Sequence, residues 1–163
     1  ALAHQDILVW SDSDIVFESE FLLHACDEFH RRKLDLLQPL SAIYYLSEMD
    51  TERVCRGEHV FSQCTPTGDW QRPPGGLSLV RARFLRRHGG MCEDFCGWGC
   101  EDEAWIHKVR VLGRMAWTDQ PQHRVWHLFH PPSTRDKSNY QENLALLNAV
   151  ESISDPTDFA LAY

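Results

Sequence analysis

The stretch Asp6-Ile-Leu-Val-Trp10, followed at once by Ser11-Asp12-Ser13-Asp14, decides how the rest of the chain is interpreted. A short, continuous apolar run is typical of a strand that is buried on both faces of a sheet. Alternate residues of an extended segment point the same way, so the carboxylates of Asp12 and Asp14 can face one small volume. Two such charges favour a bound cation. The alternative is that these residues cap the helix that follows.

The overall composition is that of one globular domain. The chain has 163 residues, of which 43% are hydrophobic and 25% charged. No apolar run reaches the roughly 20 residues that a membrane span needs. The 16 Lys and Arg residues against 24 Asp and Glu give a formal net charge of −8, which argues against a nucleic-acid binder. We therefore expect no nucleic-acid partner and no membrane span.

Strands and helices alternate outward from the opening segment. Apolar patterning predicts strands over residues 6–10, 36–46, 77–80, 115–118 and 124–129. It predicts helices over 18–33, 82–88, 101–112 and 140–152, and a long irregular loop over 47–74. This alternation implies an α/β sheet with helices on its faces.

The position of the acidic turn bears on domain organisation. In open α/β sheets, ligands bind outside the carboxyl ends of the strands, beside the point where the strand order reverses. Here the sequence reaches such a strand end almost immediately. We therefore interpret residues 1–163 as a single domain that is part of a larger α/β domain, and we expect the half that would precede this strand to be lacking.

A histidine pair near the end of the chain offers further metal ligands. His127 and His130 stand just before a proline pair, and they can converge on one ion if the strand bends there. Imidazole suits Mn²⁺, Zn²⁺ or Fe²⁺ better than it suits Mg²⁺. The alternative is a pair of partly buried histidines packed beside Trp126 and Phe129. His123 breaks the spacing, and we interpret it as structural or exposed.

A third cluster reads Gly97-Trp98-Gly99-Cys100-Glu101-Asp102-Glu103. Glycines let the backbone pass close to a ligand, and the flat face of Trp98 suits the apolar face of a sugar ring. One of the carboxylates that follow can act as a general base for a hydroxyl nucleophile. The alternative is a well-charged helix start beside a buried Trp.

The six cysteines favour reduced, mostly buried thiols. Cys92, Cys96 and Cys100 are four apart, but glycines between them argue against a helical metal face. A zinc or iron–sulfur site at these residues stays open as the less favoured alternative. Reduced thiols point to a reducing compartment and so favour a cytoplasmic location.

Taken in order, four motifs resemble the C-terminal catalytic half of the GT-A glycosyltransferases. They are Asp12-Ser13-Asp14, Gly75-Gly76-Leu77-Ser78, Gly97 to Glu103, and His127-x-x-His130. The β1,4-galactosyltransferases are the most similar group, and polypeptide N-acetylgalactosaminyltransferases and chondroitin polymerases share parts of the pattern. The resemblance covers roughly residues 6–137, and Gly-Trp-Gly-x-Glu-Asp is its most specific element. It implies a GT-A fold, a mixed sheet flanked by helices, and a partial catalytic domain that lacks the N-terminal nucleoside-binding half.

The resemblance also implies a role for each motif residue. The implied ligands of Mn²⁺, or of Mg²⁺ or another divalent cation, are Asp14, His127 and His130. Asp102 matches the catalytic base. The implied donor-binding residues are Asp12, Gly76 and Glu101, and the implied acceptor-binding residues are Gly75 and Trp98. Residues 135–137 resemble the start of the loop that closes over the bound donor.

The implied activity is metal-dependent, inverting transfer of a sugar from a nucleotide-sugar to an acceptor hydroxyl. The expected donor is a UDP-sugar, and the expected acceptor is a carbohydrate or glycoconjugate. Two departures matter: Ala104 stands where family members often carry an Asp, and Pro73 stands where an aromatic residue helps to select the donor sugar. The identity of the donor sugar therefore does not carry over. The alternative function is an inactive carbohydrate-binding or scaffolding fragment of the same fold.

Overall fold

The computed structural model describes residues 6–58, 61–131 and 139–162. Its strands are β1 (Ile7–Ser11), β2 (Ile15–Val16), β3 (Leu36–Gln38), β4 (Ala42–Tyr45), β5 (Gly68–Gln71), β6 (Leu77–Arg81), β7 (Met115–Trp117) and β8 (Arg124–His127). Its helices are α1 (Ser19–Arg31), α2 (Glu48–Cys55), α3 (Ala82–His88), α4 (Glu101–Leu112), α5 (Tyr140–Glu151) and α6 (Pro156–Ala162). A single 3₁₀ turn spans Phe61–Gln63.

The strands form two mixed sheets of four strands each. The first sheet has the order β1-β6-β3-β7, and only its β3–β7 pair is parallel. The second has the order β2-β8-β4-β5, and only its β4–β8 pair is parallel. Helices flank these sheets, so the predicted mixed α/β class is confirmed.

Helix α1 packs across both sheets. Its apolar stripe of Phe21, Ala25 and Phe29, which the sequence spacing predicts, is buried. The same core cluster includes Leu79 from the first sheet and Val125 from the second. This shared apolar burial holds the two sheets together.

Helix α4 is buried on the other side of the first sheet. Trp105 is 1% exposed and packs against Trp10 of β1 and Phe84 of α3, with ring centroids 5.3 and 6.0 Å away. Helices α5 and α6 cover another face of α4 through Leu147, Val150 and Phe159. Packing on these faces fixes where α4 begins, and the implied base, Asp102, lies in its first turn.

The single strand predicted over residues 36–46 is wrong. The chain forms β3 and β4 instead, and these two strands belong to different sheets. Pro39 follows β3 directly, and a proline cannot donate a backbone hydrogen bond to a sheet. The chain therefore leaves the first sheet here and enters the second.

The predicted loop over residues 47–74 is also wrong, since it contains α2, the 3₁₀ turn and β5. Ser47 caps α2, because its hydroxyl accepts a hydrogen bond from the Asp50 N–H at 3.1 Å. Every residue of β5 is exposed. Elements that bury so little apolar surface carry no periodic pattern, which is why the sequence pattern misses them. Strand β2 and helix α6 were likewise not predicted.

A buried polar network joins α1 to the segment after β7. The Thr118 hydroxyl donates to the Glu28 carboxylate at 2.7 Å, and the Thr118 oxygen is 3.0 Å from Nδ1 of His123. Arg32 pairs with the other Glu28 oxygen at 2.5 Å. His123 is only 2% exposed, so its role is structural. Each partner satisfies a polar group that would otherwise be buried alone.

We expect Thr118→Val to lower the free energy of unfolding by about 1–3 kcal/mol, because it removes a donor from the buried Glu28 carboxylate. Urea unfolding measures the change. Thr67→Val is the matched control, since the Thr67 hydroxyl donates to the Tyr45 carbonyl at an exposed site. Equal losses in both variants would contradict the role given to the network.

Candidate functional site

Asp14, His127 and His130 meet at one point, although they are distant in the sequence. Nε2 of His127 is 3.4 Å from Oδ2 of Asp14, and Nε2 of His130 is 3.2 Å from the same oxygen. The pairing of β2 with β8 creates this meeting, because Ile15 lies opposite His127. Within the described residues, this is the one group of three possible metal ligands with ligand atoms within 4.8 Å of one another.

Backbone carbonyls fix the orientation of both imidazoles. Nδ1 of His127 is 2.7 Å from the Leu128 carbonyl, and Nδ1 of His130 is 3.0 Å from the Pro131 carbonyl. A carbonyl only accepts hydrogen bonds, so each Nδ1 carries the proton and a neutral ring keeps its lone pair on Nε2. Both lone pairs then point toward Asp14. Hydrogen bonds of this kind typically fix the orientation of metal-binding histidines.

One oxygen of the Asp14 carboxylate lacks a hydrogen-bond partner. Its Oδ1 is buried and has no hydrogen-bond partner within the described residues. A buried carboxylate oxygen without a partner is unfavourable. One carboxylate and two imidazole nitrogens are a donor set that suits Mn²⁺ or a similar divalent ion. The residues present therefore fit a divalent cation.

The cysteine alternative has no such geometry. All six cysteines lie within the described residues, and all six are free thiols. Cys92, Cys96 and Cys100 do not form a cluster of ligand atoms within the described part of the chain. The structure thus gives the zinc or iron–sulfur interpretation no support.

The Gly75-Gly76 turn brings the implied base next to the acidic turn. Asp12 donates its backbone N–H to the Gly76 carbonyl at 2.9 Å. On the other side, the Asp102 carboxylate lies so close to Gly75 that any side chain at Gly75 would overlap with it. The buried Gln38 supports this turn by donating to the Pro74 carbonyl. Glycine at residue 75 therefore makes room for Asp102.

Burial and neighbouring charges raise the pKa of Asp102 to about 7. Loss of solvation is the main cause, and the negative charges of Glu101, Asp12 and Glu103 add to it. The pKa of Asp12 is also raised, first by desolvation and then by Asp14, while His127 opposes the shift. These mutual effects show that the acidic turn, the first turn of α4 and His127 share one electrostatic environment. A carboxyl group that titrates near neutral pH is suited to proton transfer.

The loop before α4 presents Trp98 at the surface. Gly97, Gly99 and Cys100 all have positive φ, at 75°, 102° and 78°. The Trp98 ring is 41% exposed and stacks on Tyr140 at 6.1 Å, with 22° between the ring planes. A side chain at Gly99 would crowd the same Tyr140 ring. The glycines therefore let the loop lie close to α5 while the indole stays accessible.

Asn143 holds this loop in place, and the sequence interpretation did not identify it. The side chain is 3% exposed. Its Oδ1 accepts from the Cys96 N–H at 3.2 Å, and its Nδ2 donates to the carbonyls of Cys96 and Gly99 at 2.9 and 3.1 Å. The sequence does contain an indication of this role, because Asn143 lies on the same helix face as the buried Leu147 and Val150. A polar residue on an apolar face indicates a specific partner.

The structure thus assembles the predicted residues into two adjoining groups. One is the Asp14–His127–His130 cluster. The other is formed by Asp12, Gly75, Gly76, Glu101 and Asp102, and Trp98 lies nearby in the loop that precedes α4. Residues 135–137, with the implied donor loop, lie outside the described residues.

Comparison with models of known protein families gave no match, and comparison with curated proteins gave none either.

None of the helices in the described part of the chain has the length and apolar character to cross a bilayer.

We expect Asn143→Asp to destabilise the protein by about 2 kcal/mol or more at pH 7, because an ionised carboxylate would face two backbone carbonyls. Thermal unfolding measures the loss. Asn148→Asp is the matched control, since Asn148 is exposed on the same helix. The deficit should shrink at acid pH, where the new carboxyl is protonated and donates. A deficit of the same size at both residues would contradict the role of Asn143.

We expect Asp102→Asn to stabilise the cation-free protein increasingly as the pH rises from about 4 to 7. The folded state holds a proton at a pKa of about 7 against an ordinary value of 3.8, so the wild-type protein loses stability as the pH rises through this interval. Asparagine cannot ionise, so the variant escapes this loss, which is at most on the order of 4 kcal/mol. Urea unfolding at pH 5 and pH 8 measures the difference. Asp27→Asn, at an exposed residue of α1, should show no such trend.

Proposed function

We propose that this chain is the C-terminal catalytic part of a GT-A-type glycosyltransferase. It would transfer a sugar, with inversion, from a nucleotide-sugar donor to a hydroxyl of a carbohydrate or glycoconjugate acceptor. The observation that carries the proposal is the convergence of Asp14, His127 and His130 beside a carboxyl group, Asp102, whose pKa is raised to about 7. The order of the four motifs along the chain supports it further.

Asp14, His127 and His130 would hold the cation. The two imidazoles favour Mn²⁺, and Mg²⁺ is the alternative. A bound divalent ion supplies positive charge that offsets the negative charge of a departing diphosphate. Asp12 lies two residues from Asp14, where its carboxylate can contact the donor or the ion's hydration shell.

Asp102 would act as the base. The acceptor oxygen forms a bond to the anomeric carbon, the bond from that carbon to the diphosphate oxygen breaks, and the acceptor's proton passes to the Asp102 carboxylate. A pKa of about 7 gives Asp102 the proton affinity for this step while about half of it is ionised at neutral pH. Attack from the side opposite the leaving group inverts the anomeric centre.

The remaining residues would orient the two substrates. The exposed face of Trp98 offers an apolar platform for the acceptor sugar. Gly75 and Gly76 let backbone pass close to a sugar ring, since neither adds a side chain to the turn. Holding both substrates in line supplies much of the rate enhancement in reactions of this kind.

We expect release of nucleoside diphosphate from a nucleotide-sugar in the complete protein, dependent on Mn²⁺ and abolished by EDTA. Asp102→Asn should lower transfer by roughly 10²–10⁴-fold, the range typical of a lost general base, and leave Mn²⁺ binding intact. Glu103→Gln is the matched control, because it removes one negative charge from the same helical turn at an exposed residue.

Unchanged turnover in Asp102→Asn would remove Asp102 from its role. A wild-type protein that binds Mn²⁺ and an acceptor sugar but releases no product would instead establish the inactive carbohydrate-binding fragment.

His130→Ala should weaken Mn²⁺ binding at least about tenfold, since even the outer partners of metal ligands account for 10–100-fold. The side chain of His130 is 49% exposed, so the fold should tolerate its loss. Titration of Mn²⁺ by electron paramagnetic resonance measures the change. His30→Ala, at an exposed residue of α1, should bind Mn²⁺ as the wild-type protein does. Equal weakening in both variants would mean that the ligands are wrongly assigned.

A further inference from the structure

A pocket of about 540 Å³ lies at the end of α4 opposite to the candidate site. We call it the basic pocket, because five of its nine lining residues are cationic: Arg31, Arg32, Lys33, Arg110 and Arg114. The other four lining residues are apolar or glycine, and none is acidic. Its volume lies within the range of roughly 300–1,000 Å³ that is typical of pockets for small ligands.

This concentration of positive charge stands out in a protein with a formal net charge of −8. The chain has only 16 Lys and Arg residues, so nearly a third of them surround one pocket. Two helices end here, and the negative C-terminal ends of their dipoles favour cations such as Arg31 and Arg110. Lys33 and Arg114 lie beyond those helix ends, so the dipoles do not account for the whole cluster.

Most of this charge is not neutralised within the protein. Arg32 is paired, because its guanidinium contacts Glu28 at 2.5 Å and donates to the Trp117 carbonyl at 3.1 Å. Arg110 lies over the Trp117 ring at 5.0 Å, a contact that leaves its charge in place. Within the described residues, no carboxylate oxygen lies within 4.0 Å of a side-chain nitrogen of Arg31, Lys33, Arg110 or Arg114.

Two acidic side chains lie near the pocket without pairing directly with these four cations. Asp119 interacts electrostatically with Arg31 and Arg32, and Asp35 is committed elsewhere. Asp35 accepts a hydrogen bond from the backbone N–H of Arg114 at 3.1 Å and lies 3.9 Å from the Arg81 guanidinium. Four like charges around one pocket repel one another, and an anionic ligand relieves that repulsion. Three of the four are arginines, whose planar guanidinium groups bind phosphate and sulfate oxygens in pairs.

We propose that the basic pocket binds a ligand that carries clustered phosphate or sulfate oxyanions. Along helix α4, the lining residue Arg110 lies eight residues beyond Asp102, about 12 Å at 1.5 Å per residue. The basic pocket is therefore a second binding site, and it does not depend on the proposed transferase activity. The oxyanions come either from a free phosphate compound or from a sulfated saccharide.

Calorimetric titration of the whole chain in EDTA at low salt tests this inference. The probes are inorganic pyrophosphate and a sulfated disaccharide, and EDTA prevents recruitment of either probe through a metal ion at Asp14. We expect at least one probe to bind with a Kd below about 1 mM. The double variant Arg31→Gln, Arg114→Gln should weaken that binding about tenfold or more, because two charged contacts are lost.

The matched control is Arg83→Gln, Arg87→Gln, which makes the same change in net charge at two exposed residues of α3. It should leave the affinity within about twofold of the wild-type value. Lys33→Gln provides a second test if the double variant does not fold. Tighter binding of pyrophosphate identifies a free phosphate compound as the ligand class, and tighter binding of the disaccharide identifies a sulfated saccharide. Equal weakening in both double variants, or no binding of either probe, would overturn the proposal.

Discussion

The short antiparallel pairing of β2 with β8 is the contact on which the candidate site depends. It covers only two residue pairs, Ile15 with His127 and Val16 with Trp126. The Leu128 N–H extends it by donating to the Asp14 carbonyl at 2.8 Å. Because Asp14 precedes β2 and His130 follows β8, this pairing determines whether their side chains meet. The burial of Ile15 and Val125 in the core that joins both sheets holds the pairing in place.

The candidate site concentrates negative charge, and this lowers the local stability of the fold. Asp12, Asp14, Glu101 and Asp102 lie in one electrostatic environment, and burial raises the pKa of Asp102 to about 7. A packed core alone would not favour such a cluster. Gly75 is required so that Asp102 can be accommodated at all. Local groups that are unfavourable for folding are common where a protein binds an ion or moves a proton.

Elements with strong apolar patterns could be predicted from the sequence, and weakly patterned ones could not. The stripe of α1 and the helix 101–112 follow from apolar spacing, whereas the exposed α2 and β5 bury too little to leave a pattern. Strand β4 was joined to β3 because a continuous apolar stretch does not reveal a change of sheet. The residues that the structure brings together in the candidate site could be named from the sequence because each motif is local. For Asn143 the sequence offers only a polar residue on an apolar helix face, and its partners could not be predicted because they lie in a loop more than 40 residues away.

We propose that the acidic turn and the histidine pair jointly hold one divalent cation. Crystals of the protein grown with Mn²⁺, with diffraction collected at a wavelength where manganese scatters anomalously, test it most directly. We expect one strong anomalous peak within about 2–2.5 Å of an Asp14 carboxylate oxygen and of Nε2 of both His127 and His130. No peak at this position, or a peak only among other side chains, would contradict it.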